Sequence, residues 1–155
     1  MGKITRFEDL ICWQKARELV NKIYSITKTG SLSQDYGLKD QLRRAAISSM
    51  TNIAEGFARY HQKEFIRFLD ISQSSASEVK SLLYVVLDQN YLDKDTVSSI
   101  QNKAGEVQAL TLGLLKYVNN SISTNKVSEP FVKYDHSQQS IKIPDEFINH
   151  EHLNT

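Results

Sequence analysis

Apolar side chains recur along the chain at the three-and-four spacing of a helix with one buried stripe, and they do so in four successive segments. The first runs from about Asp9 to Thr29, with Leu10, Trp13, Ala16, Leu19, Val20, Ile23 and Ile26 on the stripe, and stops at Gly30 before a polar linker. The second begins near Tyr36-Gly37-Leu38 and continues to about Phe57. The third spans roughly Gln62 to Asn90, with Phe65, Phe68, Leu69, Ala76, Val79, Leu83, Val86 and Leu87 on one side. The fourth opens at Asp93 or Asp95, both good N-terminal caps, carries Val97, Ile100, Ala104, Val107, Leu110, Leu114 and Val118, and frays from Asn119 to Asn125. Helices of this length, on the order of 30 to 40 Å and joined by short connections, run antiparallel to their sequence neighbours. The pattern therefore predicts an all-α fold, an antiparallel up-and-down four-helix bundle over residues 7–123. Residues 124–155 hold both prolines, Pro130 and Pro144, and two short apolar pieces, Phe131 to Tyr134 and Ile141 to Ile143. They read as an extended C-terminal tail, partly ordered where it docks on a surface.

The second helix is too apolar for one core face. Its apolar and small residues sweep an arc of roughly 200°, about twice what a bundle position needs. Packing against a second copy of the chain is the simplest use for the surplus; a central helix inside a monomer is the other. The remaining arc, roughly 80° wide, is a polar stripe of Gln41, Arg44, Ser48, Asn52, Glu55 and Arg59. Arg44 and Glu55 lie about 16 Å apart along the axis, so each is expected to pair with a neighbouring helix or subunit. The stripe is either a solvated face or a partly buried polar network that fixes packing geometry.

Composition narrows the function classes. With 155 residues, 40% of them hydrophobic, and only 6 glycines and 2 prolines, the chain has a core to bury and little material for the turns of a β fold. A lone cysteine, Cys12, forms no internal disulfide and reads as a small packing residue in a reducing cytoplasm. No secretory leader and no membrane span are expected. The net charge of +1 divides into +3 over residues 1–125 and −2 over 126–155, a mild bias of the bundle toward an anionic partner. The histidines, His61 at the second turn and His136, His150 and His152 in the tail, offer no metal-ligand spacing, and no glycine-rich phosphate loop occurs. His61 with Lys63 and Glu64 lacks a nucleophile, so no enzyme, metal or cofactor is expected.

Several ordered strings carry a resemblance. Phe7-Glu8-Asp9-Leu10, Trp13-Gln14-Lys15-Ala16, Tyr36-Gly37-Leu38, Gln41-Leu42-Arg43-Arg44-Ala45-Ala46, Asn52-Ile53-Ala54-Glu55-Gly56 and Phe65 with Phe68-Leu69 resemble the bacterial 23S ribosomal RNA intervening sequence proteins over roughly residues 7 to 118. The accessory protein of diversity-generating retroelements is similar. Cys12, Ser72 and Ser74 depart from the usual residues, which leaves helix spacing near Ser74 open. The resemblance implies a bundle assembled into a homopentameric ring that binds RNA or DNA, with Gln41, Arg44, Asn52 and Glu55 as candidates for assembly or a polar network. Candidate nucleic-acid contacts are Arg59, Lys63 and Arg67 around the second turn, with Tyr60 and His61 able to stack on bases, and Arg43 projecting from the second helix. Five bundles would together carry a formal charge of about +15. The alternative is a structural or adaptor protein whose ring displays surfaces to another protein.

Overall fold

A computed structural model of the chain describes residues 4–125 and 142–152. Four helices, α1 (Ile11–Ile26), α2 (Tyr36–Ala58), α3 (Gln62–Asp88) and α4 (Lys94–Asn125), run up, down, up and down. Each packs on its sequence neighbour and α1 closes on α4, so the cross-section is a square with α1 diagonal to α3. The four expected helices are all present. The first starts later than expected because Phe7–Asp9 forms a separate 3-10 turn ahead of it.

The stripes read from periodicity line the interior. Leu19 and Ile23 of α1, Leu42 and Ile53 of α2, Phe65, Leu69 and Leu83 of α3, and Ile100 and Leu114 of α4 are fully buried. Each such side chain stabilises the fold by about 1.5–3 kcal/mol relative to exposure. Cys12 belongs to this core, and burial pushes its thiol up to about 12, which makes it unreactive at neutral pH. The α2–α3 seam is tight at Gly56. A Cβ on Gly56 would stand 2.6 Å from the Cβ of Phe68. The departures at Ser72 and Ser74 are accommodated in this seam: buried Ser72 donates to the Ser49 carbonyl, while Ser74 faces outward and donates to Ile71 O.

At the end of the bundle where α1 finishes, the connections are stitched together. Asp35 caps α2 by accepting from Leu38 N at 3.1 Å, and its other oxygen accepts from the Tyr91 hydroxyl at 3.1 Å, joining the α1–α2 loop to the α3–α4 turn. Asp93 is the cap of α4, accepting from Thr96 N and Oγ1 at 2.9 and 2.6 Å. The Thr96 hydroxyl, then the backbone, hold the Asp93 carboxyl below the usual range.

The tail was expected from residue 124, but α4 continues to Asn125. Pro130, Phe131 to Tyr134, His136 and Ile141 lie outside the described residues. Residues 142–152 return to the bundle and dock beside the Phe7–Asp9 turn, with Ile143 and Ile148 buried. Among the described residues no helix is long and apolar enough to cross a membrane, and no group of three His, Cys, Asp or Glu is placed to hold a metal ion.

Candidate nucleic-acid interface

At the opposite end of the bundle, α2 and α3 meet in a turn so short that one residue must reverse the chain. That residue is Tyr60, whose φ of 55° puts a bulky side chain in the left-handed region at a cost of about 1–2 kcal/mol. Its ring is 64% exposed. His61, the residue before α3, makes no side-chain cap of the kind that Asp35 and Asp93 make.

At this turn come three of the four expected cationic contacts, Arg59 next to Tyr60 in the chain and Lys63 and Arg67 in the first two turns of α3. The guanidinium carbons of Arg59 and Arg67 sit 5.4 and 4.5 Å from the centroid of Phe68, a ring that is itself only 6% exposed. Phe68 therefore positions both arginines, a role that its place on the core stripe conceals. Each arginine also holds a carboxylate: Arg59 to Glu55 at 2.9 Å and Arg67 to Glu64 at 3.1 Å. The hydrogen bond from Arg67 keeps the Glu64 carboxyl below its ordinary value, and Glu64 in turn raises Arg67. Lys63 is exposed and has no ion-pair partner among the described residues. Three cations against Glu55 and Glu64 leave the tip with a formal charge of +1, concentrated where the rings are.

Arg43 belongs elsewhere. Rather than projecting from α2, its guanidinium lies 4.4 Å from the Tyr24 ring centroid and donates to Thr27 Oγ1 at 2.8 Å and to Thr27 O at 3.3 Å. It closes the C-terminal end of α1, where helix carbonyls lack partners. Sixteen residues of α2 separate it from Arg59, about 24 Å along the axis.

The polar stripe of α2 divides in two. Gln41 reaches Glu78 of α3 at 3.3 Å, Ser48 shares a hydroxyl bond with Ser75 at 2.8 Å, and Asn52 donates to Ser48 O and Oγ, forming a polar network along the α2–α3 seam. Arg44 and Glu55 lie outside it. Contrary to expectation they pair along their own helix, with Asp40 at 3.3 Å and with Arg59, at the four-residue spacing that the sequence already displays. Arg44 keeps 74% of its side chain exposed. The surplus apolar arc is used by both neighbours: Leu42, Ala45, Ala46, Ile53 and Gly56 are buried, while Met50 and Phe57 are half-buried against the core edge. Ile47 and Ala54, next to them, are also half-exposed.

Comparison with known proteins gives three results. The family model for the 23S rRNA-intervening sequence protein matches residues 8–113. No curated protein matches the chain. Among solved structures, a protein of unknown function from the S23 ribosomal protein family of Bacteroides thetaiotaomicron aligns with a TM-score of 0.63 at 22% identity, over 68% of this chain and 99% of its own. That likeness is one of fold.

Proposed function

The chain belongs to the 23S rRNA-intervening sequence protein family, and from that premise we propose that it is a cytoplasmic, non-enzymatic bundle that assembles with copies of itself, as a pentamer, and binds RNA or DNA through its α2–α3 tips. The observation that carries this reading is Tyr60, exposed at positive φ in a turn flanked in sequence by Arg59, Lys63 and Arg67, both arginines being seated on Phe68. A strained, displayed aromatic flanked by cations is the arrangement that stacks on a base and neutralises the adjoining phosphates. One tip with a charge of +1 binds weakly. Several on one assembly act together, because each further contact is made at high effective concentration. Arg44, Ile47 and Ala54, exposed or half-exposed on α2, are the residues through which copies would meet.

The test is salt-dependent binding of single-stranded RNA and DNA by the purified assembly. Replacing Arg59, Lys63 and Arg67 by glutamate should lower affinity at least about tenfold while leaving the helical signal intact. Absence of wild-type binding at low salt rejects the reading, and a monomer in solution rejects the ring. A second reading, an adaptor that presents its ring to another protein, draws support from the ion pairs that neutralise two of the three tip cations. It predicts that the triple replacement changes nothing in nucleic-acid assays.

A further inference from the structure

Two of the three cations at the α2–α3 turn are already engaged, each by a carboxylate of its own helix. Arg59 holds Glu55 at 2.9 Å, one turn back along α2, and Arg67 holds Glu64 at 3.1 Å, one turn back along α3. All four side chains are about half in water, where an ion pair is screened and adds little to the stability of a helix. Its larger effect is on what each guanidinium can still bind. Carboxylate and phosphate oxygens take the same fork of N–H donors, so a phosphate reaching either arginine competes with the carboxylate already there.

The arginines themselves are held by something else. Their guanidinium carbons lie 5.4 and 4.5 Å from the centroid of Phe68, whose Cβ is fixed against the backbone of Gly56. Arg44, paired with Asp40 at the same spacing as Arg59 with Glu55, has no ring beneath its guanidinium among the described residues. A guanidinium seated on a ring keeps its place when a carboxylate leaves its edge, so exchange of one anion for another costs little reordering. The two pairs also feel each other. Glu64 is held low first by its hydrogen bond from Arg67 and further by Arg59 and His61, and Arg67 is raised first by Glu64 and further by Glu55.

We propose that Glu55 and Glu64 are internal stand-ins for phosphate, covering both arginines until the phosphates of a single strand displace them, and that they restrict the tip to phosphodiester chains over isolated phosphate. The proposal rests on the nucleic-acid reading and specifies its ligand. A carboxylate one helical turn away is present at high effective concentration, which a free phosphate ion at millimolar level does not match. A strand first caught by unpaired Lys63 and stacked on Tyr60 presents its next phosphates as if they too were tethered, and the exchange becomes even.

Fluorescence anisotropy of a labelled oligouridylate at low salt tests this on the full-length chain with four proteins: wild type, Glu55→Gln with Glu64→Gln, Arg59→Gln with Arg67→Gln, and all four substitutions together. Removing the carboxylates should tighten binding at least about tenfold when the arginines are present, and less than about twofold when they are absent. No gain, or an equal gain in both backgrounds, which is the bulk effect of lost negative charge, overturns the proposal. Inorganic phosphate at matched ionic strength should displace the strand from the Glu55→Gln, Glu64→Gln protein at a concentration at least about tenfold lower than from wild type. Equal displacement from the two overturns it as well. Glutamine is a good helix former, so these proteins should keep the helical circular dichroism of wild type; the Glu64 and Arg67 substitutions alone supply the same cycle should the fourfold variant unfold. The two readings fail separately: wild-type binding without the gain rejects the covering role alone, whereas no strand binding by wild type or by the Glu55→Gln, Glu64→Gln protein rejects both.

Discussion

The two ends of the bundle solve the same problem, reversing a pair of helices, in opposite ways. At the end holding the α1–α2 loop and the α3–α4 turn, side chains tie the junctions: Asp35 caps α2 and receives Tyr91, Asp93 caps α4, and Arg43 donates to the Thr27 carbonyl just past α1. At the other end the α2–α3 turn has no side-chain cap and bears an aromatic residue in a conformation that glycine would adopt without cost. Local strain that persists in an otherwise well-satisfied fold marks a place where display of a side chain outweighs stability. Asn90 in the α3–α4 turn shares the positive φ, so it is the exposed aromatic ring, not the strain alone, that sets the α2–α3 turn apart.

The largest effect should come from just inside that open end, where packing is tight even though the surface is not. Gly56→Ala places a methyl against Phe68 Cβ and should cost about 2–3 kcal/mol in denaturant unfolding, with loss of the arginine platform as α2 and α3 part. Next, Arg43→Ala removes the α1 closure at the stitched end and should cost about 1–3 kcal/mol in the same assay, with nucleic-acid affinity unchanged. If affinity fell, the two ends would not be functionally distinct. Tyr60→Gly should act in the other direction, gaining about 0.5–1 kcal/mol by relieving the turn while weakening binding of single strands.

The smallest effect is a pH asymmetry. Donation to Asp35 raises the Tyr91 hydroxyl above the ordinary phenol value, so its contribution is complete below about pH 10 and is lost as pH rises through the raised value. Tyr91→Phe should remove the corresponding alkaline decline in thermal midpoint. Asp93 and Glu64, both held low, contribute above the ordinary carboxylate range and lose their contribution as pH falls, so acid should loosen both ends.

Much of the fold was legible before any coordinates. Helical periodicity located all four helices, with α2 and α3 beginning where expected, because each buries a continuous stripe, and Asp93 was readable as a cap because the chemistry is local. Arg43 was not, since a helical wheel gives the direction of a Cα–Cβ bond but not where a long guanidinium side chain ends. Its target, Thr27, lies sixteen residues back in a neighbouring element. Phe68 was placed correctly in the interior, yet its use as a seat for two arginines depends on a turn angle that periodicity does not encode. The pairing of Glu55 with Arg59 is visible in their spacing, whereas the helical wheel pointed to a neighbouring helix or subunit. The docking of residues 142–152 had no periodic signal, because its anchors fill spaces built by Leu10, Gly113 and Tyr117 from both extremes of the chain.

That last arrangement has a consequence in time. Leu10 is synthesised before α1 to α4, and Ile148, which bridges to it, after them. Synthesis at about 5–20 residues per second separates completion of α4 from arrival of Asn149 by on the order of seconds, far longer than helices take to form and pack. Asn149 therefore joins a chain whose four helices are already synthesised, and its bond to Asp9 closes a loop of 140 residues in one step.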